Sequence, residues 1–347
     1  MPSPRYRKRK LVGRLGTAGD NELIRTVTVI DSSGTNKPVA FGAFQVCSKN
    51  QAYFIVHECQ SKYTNKNVTV EEVPLEGKND LHCCLKITAV ADPEINYAYL
   101  PQYYGAFGER SHQPVLAHIY DVLVKMSFKT HYNIEASKNI TIDLYSIEGF
   151  VVYSLGNERL SELRDRLGFV VTNNFALFEV TANRAALQHN LENVSDVEDA
   201  EEINVDNITY ENLNATNEEL LFDYDSTTSL FNRDKYINFL LQTKEVKCVL
   251  ALESGQPVGY AMALNHRILQ CYADSEFIAR NLVCKVLSEM STNTVKMFVF
   301  DDETSLSSEI IKTAEHLNKL QRYHSRLIPT QVKWDYVFLL NVGLNLY

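Results

Sequence analysis

Between Ala185 and Asn232 the chain carries twelve acidic residues and not one Lys or Arg. Over residues 189–219 that charge combines with few large apolar groups, so the stretch buries too little surface to offset the cost of ordering it. It therefore predicts a linker. Such a linker divides the 347 residues into two parts, each long enough for a core of its own. At the opposite extreme, Met1–Arg14 holds Arg5, Arg7, Lys8, Arg9, Lys10 and Arg14 and no acid. This start reads as a solvated, flexible tail, with use as a nuclear signal or an anionic-surface contact as the alternative. Once both segments are set aside, what remains of the net charge of −9 is close to neutral. A body of that balance is not that of a dedicated nucleic-acid binder.

Hydrophobic residues make up 45% of the chain and charged residues 22%, the mixture of an ordinary globular protein. No apolar run approaches the roughly 18 to 20 residues that span a bilayer, and the first residues lack the apolar centre of a secretory signal. The expectation is an intracellular, cytoplasmic protein without a membrane partner. Seven Cys are present with no C-x-x-C pair, so reduced thiols are expected rather than a disulfide framework or a zinc site. Sequons at Asn67, Asn139, Asn193, Asn207 and Asn214 carry no glycan expectation in that setting.

The first part reads as strands, then a loop and a helix. RTVTVIDSSG and KPVAFGAFQVCS alternate in strand fashion about a turn at residues 32–36, which predicts a hairpin. AYFIVHECQ, LHCCLKITAVAD and INYAYL continue with β-branched and aromatic residues. PQYYGAFGERSHQ is turn-rich, and PVLAHIYDVLVKMSF spaces Val115, Leu116, Ile119, Val122, Leu123 and Met126 by threes and fours. That is a helix with one apolar face, Pro114 suiting its first turn. A strand NITIDLY, an apolar FVVYSL, and a helix NERLSELRDRLG with Asn157 as N-cap and Gly168 as C-cap follow, then FVVTNNFALFEV.

A glycine-bearing loop at a helix N-terminus is an anion site, because unpaired amides and the helix dipole both favour phosphate oxygens. The loop here runs Tyr103-Tyr-Gly-Ala-Phe-Gly-Glu-Arg110, and at this point the chain resembles the GNAT family of acyl-CoA-dependent N-acyltransferases. That family holds the CoA pyrophosphate with a [Q/R]-x-x-G-x-[G/A] loop after its fourth strand and ends a later helix in Gly-Phe. YLPQYYGAFGE is similar to the loop, and LRDRLGF to the helix end. The resemblance implies acetyl-CoA or another acyl-CoA as cofactor, with Gln102, Tyr104, Gly105, Ala106, Phe107 and Gly108 as the cofactor-binding residues. Two departures stand out. Phe107 occupies the place of Gly or Ala, which Gly108 fills only in a shifted register. Arg164 stands where many members place a Tyr general acid, and a guanidinium delivers no proton at neutral pH. Either another group such as Tyr145 or Tyr153 takes that step or the step needs no residue, and Glu94, Glu109, His57, His82 and His112 remain uncommitted as bases. No catalytic residue is assigned.

The second part opens with Asp223 and Asp225 and a helix through Arg233, Tyr236, Phe239 and Leu240, capped from Asn232; the charged trio reads as helix-start electrostatics and capping rather than acceptor recognition. KCVLALESGQPVGYAMAL is a hairpin about Glu253–Gln256. ILQCYA, the helix SEFIARNLVCKVLSEM, TVKMFVFD, the helix LSSEIIKTAEHLN and strands around KWDYVFLLNVGL complete the unit. FDYDSTTSLFNRDKYINFLL, GQPVGYAMA, CYADSEFIARNLV and WDYVFLLNVGL resemble, in order, the second domain of tandem GNAT proteins of the YitH/HolE type. Between Tyr272 and Ile278 acids replace a glycine-rich loop, which argues against cofactor binding there.

The expected architecture is α+β, that is mixed α/β, with two GNAT-like domains, each a mostly antiparallel sheet flanked by helices. Boundaries fall at 1–20 (basic tail), 21–184, 185–219 (acidic linker) and 220–347. Two functions follow from the resemblance: transfer of an acyl group from CoA to a small-molecule or peptide amine, or a catalytically inactive descendant that binds or scaffolds. No nucleic-acid partner is expected.

Overall fold

A computed structural model describes residues 23–31, 37–57, 63, 66–74, 81–90, 113–129, 139–147, 150–151, 167–171, 176–193, 207–229, 232–302, 304–325 and 332–341. In chain order the elements up to the acidic segment are β1 (Ile24–Ile30), β2 (Pro38–Val46), β3 (Gln51–His57), β4 (Asn67–Val73), β5 (His82–Val90), β6 (Gln113–Pro114), α1 (Val115–Phe128), β7 (Asn139–Ile147), β8 (Phe150–Val151), β9 (Phe169–Val171), β10 (Ala176–Asn183) and α2 (Arg184–Glu192). They are followed by β11 (Ile208–Asn212), α3 (Glu218–Ser229), α4 (Asp234–Gln242), β12 (Val246–Glu253), β13 (Gln256–Leu264), β14 (Arg267–Ala273), α5 (Glu276–Glu289), β15 (Thr294–Asp301), α6 (Ser305–Lys312), β16 (Ala314–Ser325) and β17 (Val337–Leu339). The class is mixed α/β with mostly antiparallel strands. The chain separates into two compact units that are not collinear with the sequence. The first gathers residues 1–142, 152–170 and 323–328, and the second 143–151, 171–322 and 329–347.

In the first unit β1 pairs antiparallel with β2 and parallel with β5, β2 pairs with β3, and β4 pairs with β5 and with the short β6. β3 meets β7 in parallel over Gln51–Tyr53 and Asn139–Thr141 among the described residues. α1 forms where the apolar spacing predicts, with Pro114 one residue outside it and Lys129 closing it in the left-handed conformation. It packs on β1 and β2. A Cβ on Gly42 of β2 would lie 2.3 Å from the Ile119 Cγ2 atom, so glycine is what lets helix and strand approach this closely. Phe44 is fully buried and meets Phe54 and Tyr120 edge-on at 5.2 and 5.8 Å. Each such ring contributes about 1.5–3 kcal/mol by burial.

The second unit orders its strands β11, β12, β13, β14, then β17, β15, β10 and β16. Ser254 and Gly255 both take positive φ, 50° and 82°, the two-residue turn that matches hairpin twist between β12 and β13. α2, α5 and α6 cover one sheet face, with Leu187, Leu282, Val283, Leu287 and Ile310 at 0% exposure in its core. α3 and α4 pack on β13 and β12 respectively.

Three expectations change at the level of elements. The acidic linker holds order at both ends: α2 runs to Glu192, β11 pairs with β12, and α3 starts at Glu218. Leu187 and Leu191, one helical turn apart and buried, supply the apolar stripe that the charge count concealed; residues 194–206 lie outside the described part. The segment LSSEIIKTAEHLN is helical only to Lys312, after which Ala314 begins β16 and pairs along β10. Helix α4 takes Arg233 rather than Asn232 at its N-cap, without a side-chain cap bond. β4 was not anticipated, whereas INYAYL and the helix NERLSELRDR fall outside the described residues.

Candidate functional site

The loop residues Gln102, Tyr104, Gly105, Ala106, Phe107 and Gly108 lie outside the described residues, as do Glu94, Glu109, His112, Tyr153 and Arg164; of His57 and Tyr145 only the strand backbone is described. What the structure describes is α1, which follows this loop in the sequence after β6. No side chain caps the N-terminus of α1, and its first turn holds no acid. The amides of that first turn have no carboxylate of their own helix competing for them.

The helices of the second unit start differently. Ser275 Oγ accepts from the Ile278 N–H (3.3 Å) at the start of α5. Glu276, one residue further, reaches across to α6, where its carboxylate accepts from the backbone N–H groups of Ser305 (3.2 Å) and Leu306 (2.7 Å). Arg280 Nη2 donates to the same carboxylate at 2.9 Å. Asn183 caps α2 through the Ala186 N–H (3.1 Å). Those amides already have oxygen partners; of the acids between Tyr272 and Ile278, Glu276 serves the helix starts, while Asp274 Oδ1 accepts from the Tyr224 hydroxyl at 2.7 Å.

A second contrast lies in the sheets. β14 and β15 are parallel but share a single pair, Arg267 with Lys296. In the gap beyond it β17 pairs antiparallel with both, Cys271 with Leu339 and Val299 with Leu339, and Leu339 is 0% exposed. The backbone groups of this divide are taken up by the chain's own strand. In the first unit β3 and β7 pair in parallel over Gln51–Tyr53 and Asn139–Thr141 among the described residues. Beside it, Ser325 Oγ accepts from the Ile140 N–H (2.8 Å), and the ring Nδ1 of His324 lies 3.1 Å from both Asn139 Oδ1 and Thr141 Oγ1.

Asp223 is exposed, but Asp225 and Arg233 are not helix-start charges. They form a buried ion pair: Arg233 Nε donates to Asp225 Oδ2 at 3.1 Å, and Nη2 donates to Oδ1. Tyr260, fully buried, donates to Oδ1 at 2.6 Å and accepts from Gln270 Nε2 at 2.9 Å. Arg233 also donates to Tyr272 and lies over its ring at 5.3 Å. Burial first, and the Asp225 charge second, push the Tyr260 phenol up. Every group in this network is engaged with another, which makes it a fastening of α3 and α4 to β13 and β14. The capping interpretation of Asp225 and Arg233 is thereby replaced.

His82 faces Thr26 across the β1–β5 pair, Nδ1 to Oγ1 2.5 Å, and burial lowers its pKa. A cleft of about 530 Å³ opens beside the end of β11, lined by Asn212, Asn214, Glu218, Lys247, Cys248 and Glu289 among others; Lys247 donates there to the Glu289 carbonyl at 2.5 Å. Among the described residues no cluster of His, Cys, Asp or Glu is arranged to hold a metal, and no helix is long and apolar enough to cross a membrane. The groupings of His324 with Asn139, and of Asp225 with Arg233, Tyr260, Gln270 and Tyr272, were not read from sequence. The first joins residues 185 positions apart, and no local pattern signals that.

A family model described as "Domain of unknown function (DUF7596)" matches residues 19–171, less than half of the chain. No curated protein matches. Three solved structures are remotely similar. One is a Pyrococcus horikoshii protein assigned by inference as an acetyltransferase, with TM-score 0.49 and 11% identity over 98% of this chain and 86% of that one. The second is a GCN5-related N-acetyltransferase from Sphaerobacter thermophilus, with TM-score 0.43 and 11% identity over 86% of this chain and 80% of that one. The third is a conserved Staphylococcus epidermidis protein of unknown function, with TM-score 0.40 and 15% identity over 61% of this chain and 81% of that one.

Proposed function

We propose that the chain is an acyl-CoA-dependent N-acyltransferase of the GNAT type, built as a tandem, in which the first unit binds the acyl-CoA and the second, similar to the YitH/HolE type, binds none. The observation that carries this reading is the start of α1, which lacks both a side-chain cap and an acid in its first turn and follows the loop Gln102–Gly108 in the sequence. Pyrophosphate is the ligand such a start favours. The short parallel contact of β3 with β7 supports the same unit, because the amide-bearing arm of CoA is an extended chain of the kind that pairs with strand backbone. Conversely, the occupied helix starts and the β17 insertion support a second unit without cofactor. The acceptor in this reading is a small-molecule or peptide amine.

Chemically, the neutral amine attacks the thioester carbonyl, donors near the carbonyl oxygen stabilise the tetrahedral charge, and the CoA thiolate leaves. The alternative, a non-catalytic binding or scaffolding protein, draws on Phe107 in the place of a small residue and Arg164 in the place of a proton donor.

Calorimetric titration of the full chain with acetyl-CoA and CoA, with dephospho-CoA and ATP as controls, tests the reading. CoA-specific binding at micromolar level is expected. Gly105→Asp places a side chain and a charge where the pyrophosphate would sit, and it should weaken binding at least tenfold, about 1.4 kcal/mol. A folded protein that binds no CoA overturns the acyltransferase reading.

A further inference from the structure

We infer that the outer edge of β11 docks an extended peptide in which lysine or arginine alternates with β-branched apolar residues; the inference concerns the second unit alone and does not rest on the acyltransferase reading. β11 begins the strand order of that unit and pairs with β12. Beside the ladder, the Leu213 N–H donates to the Cys248 carbonyl at 2.9 Å and the Ser254 N–H to the Asn207 carbonyl at 3.3 Å. Bonds toward β12 therefore fall at odd-numbered residues, because backbone bonds in an antiparallel pair alternate. Ile208 and Tyr210 consequently turn N–H and carbonyl away from β12, and among the described residues no strand pairs on that side. Asn212, next in this series, has its carbonyl taken by Asn214 Nδ2 and Asn217 Nδ2, both at 3.3 Å. The groups of Ile208 and Tyr210 form a template for one more strand.

The two faces of β11 set the pattern of the partner. Ile208 and Tyr210 are half-buried and pack against the core of the unit, whereas Thr209 and Glu211 are exposed. In an antiparallel addition, the partner residues that exchange backbone bonds with Ile208 and Tyr210 stand on the face of those two, and the residues between them stand on the face of Glu211. Apolar side chains suit the first set and cations the second.

The charge around the edge is one-sided. β11 lies within the stretch from Ala185 to Asn232 that carries twelve acids and no Lys or Arg, Asp225 among them being paired with Arg233. Where β11 ends, the cleft of about 530 Å³ offers apolar walls from Leu213, Leu241 and Val246 and carboxylates from Glu218 and Glu289. That is what a long cationic side chain with an apolar stem requires. Lys247, which also lines the cleft, is held by the Glu289 carbonyl at 2.5 Å and lies 3.8 Å from the carboxylate of the same residue. The same acidity argues against a second copy of the chain as occupant, since two β11 edges side by side would bring two acidic stretches together. It repels nucleic acid and anionic membranes likewise.

The probe is a synthetic peptide alternating lysine with valine, labelled with a fluorophore and titrated with the full chain. Fluorescence anisotropy is expected to show binding at micromolar level. Two backbone-methylated versions decide whether strand pairing is responsible. Methylation of the valine nitrogens removes the N–H groups that would face β11 and should weaken binding at least tenfold; methylation of the lysine nitrogens, which face away, should change it less than about twofold. Tyr210→Pro removes an outward N–H without taking a bond from β12 and should weaken the unmethylated peptide at least tenfold. Glu211→Lys should weaken it too, and replacing lysine by glutamate in the peptide should abolish binding. Equal behaviour of the two methylated peptides means attraction by charge without strand addition and overturns the inference. So do absence of binding, equal binding of the acidic peptide, and sedimentation showing two copies of the chain paired in place of the peptide. These outcomes leave CoA binding, and the reading of the first unit, untouched.

Discussion

Arg233 and Asp225 form an ion pair with almost no access to water, their side chains 10% and 3% exposed. A charge left alone in such a place costs far more than the pair itself contributes. Arg233→Ala strands the Asp225 carboxylate beneath Tyr260 and should lower stability by about 3–5 kcal/mol, read from denaturant midpoints. Asp225→Asn keeps the shape and removes the charge that holds the guanidinium, so a loss of similar sign is expected. His82 gives a pH signature. Burial lowers its pKa below 6.5, so between 6.5 and the lowered value the unfolded chain binds a proton that the folded chain refuses. Stability contributed by the neutral ring is complete above that window and is lost as pH falls through it. Comparing urea midpoints at about pH 7.5 and about pH 5 should show a smaller drop for His82→Gln than for the parent.

At the scale of elements, α1 and β2 meet at one spot without slack. Gly42→Ala would drive its methyl into Ile119 and should cost about 1–3 kcal/mol, as overpacked cores do. Ile119→Ala in the same chain removes the opposing methyl, so a double-mutant cycle by thermal melting should show positive coupling between the two sites. α1 was legible in the sequence because its apolar spacing is uninterrupted and its burial is decided locally. The β1–β2 and β12–β13 hairpins were legible for the same reason, each being a contact between neighbours in the chain. β16 was not. Ile310, Ile311, Ala314 and Leu317 continue a helical spacing past Lys312, and only the partner strand β10, more than 130 residues upstream, draws Ala314–Ser325 into extended form. β4 was missed because Glu71 and Glu72 interrupt its alternation; its place is set by β5 and β6. Of the candidate site, the loop before α1 is pointed to by its glycines alone, and it lies outside the described residues. The grouping of His324 with Asn139 could not be read, since their meeting is a property of the folded chain alone.

On the scale of the whole molecule, the two units draw on chain segments that alternate along the sequence. A fragment cut at the apparent boundary, residues 1–184, keeps Ile140 but loses Ser325, and keeps β10 but loses both strands that flank it. It should melt well below the full chain or without a cooperative transition, as circular dichroism would show. The same alternation governs how the protein is made. The Ile140–Ser325 contact joins residues 185 positions apart. With ribosomes adding roughly 5–20 residues per second, the first unit waits roughly 10 to 40 s for its last strand. During that interval the nascent chain carries an unfinished sheet edge. This makes the protein a natural client for holding chaperones, and a late stop codon would damage the unit that was translated first.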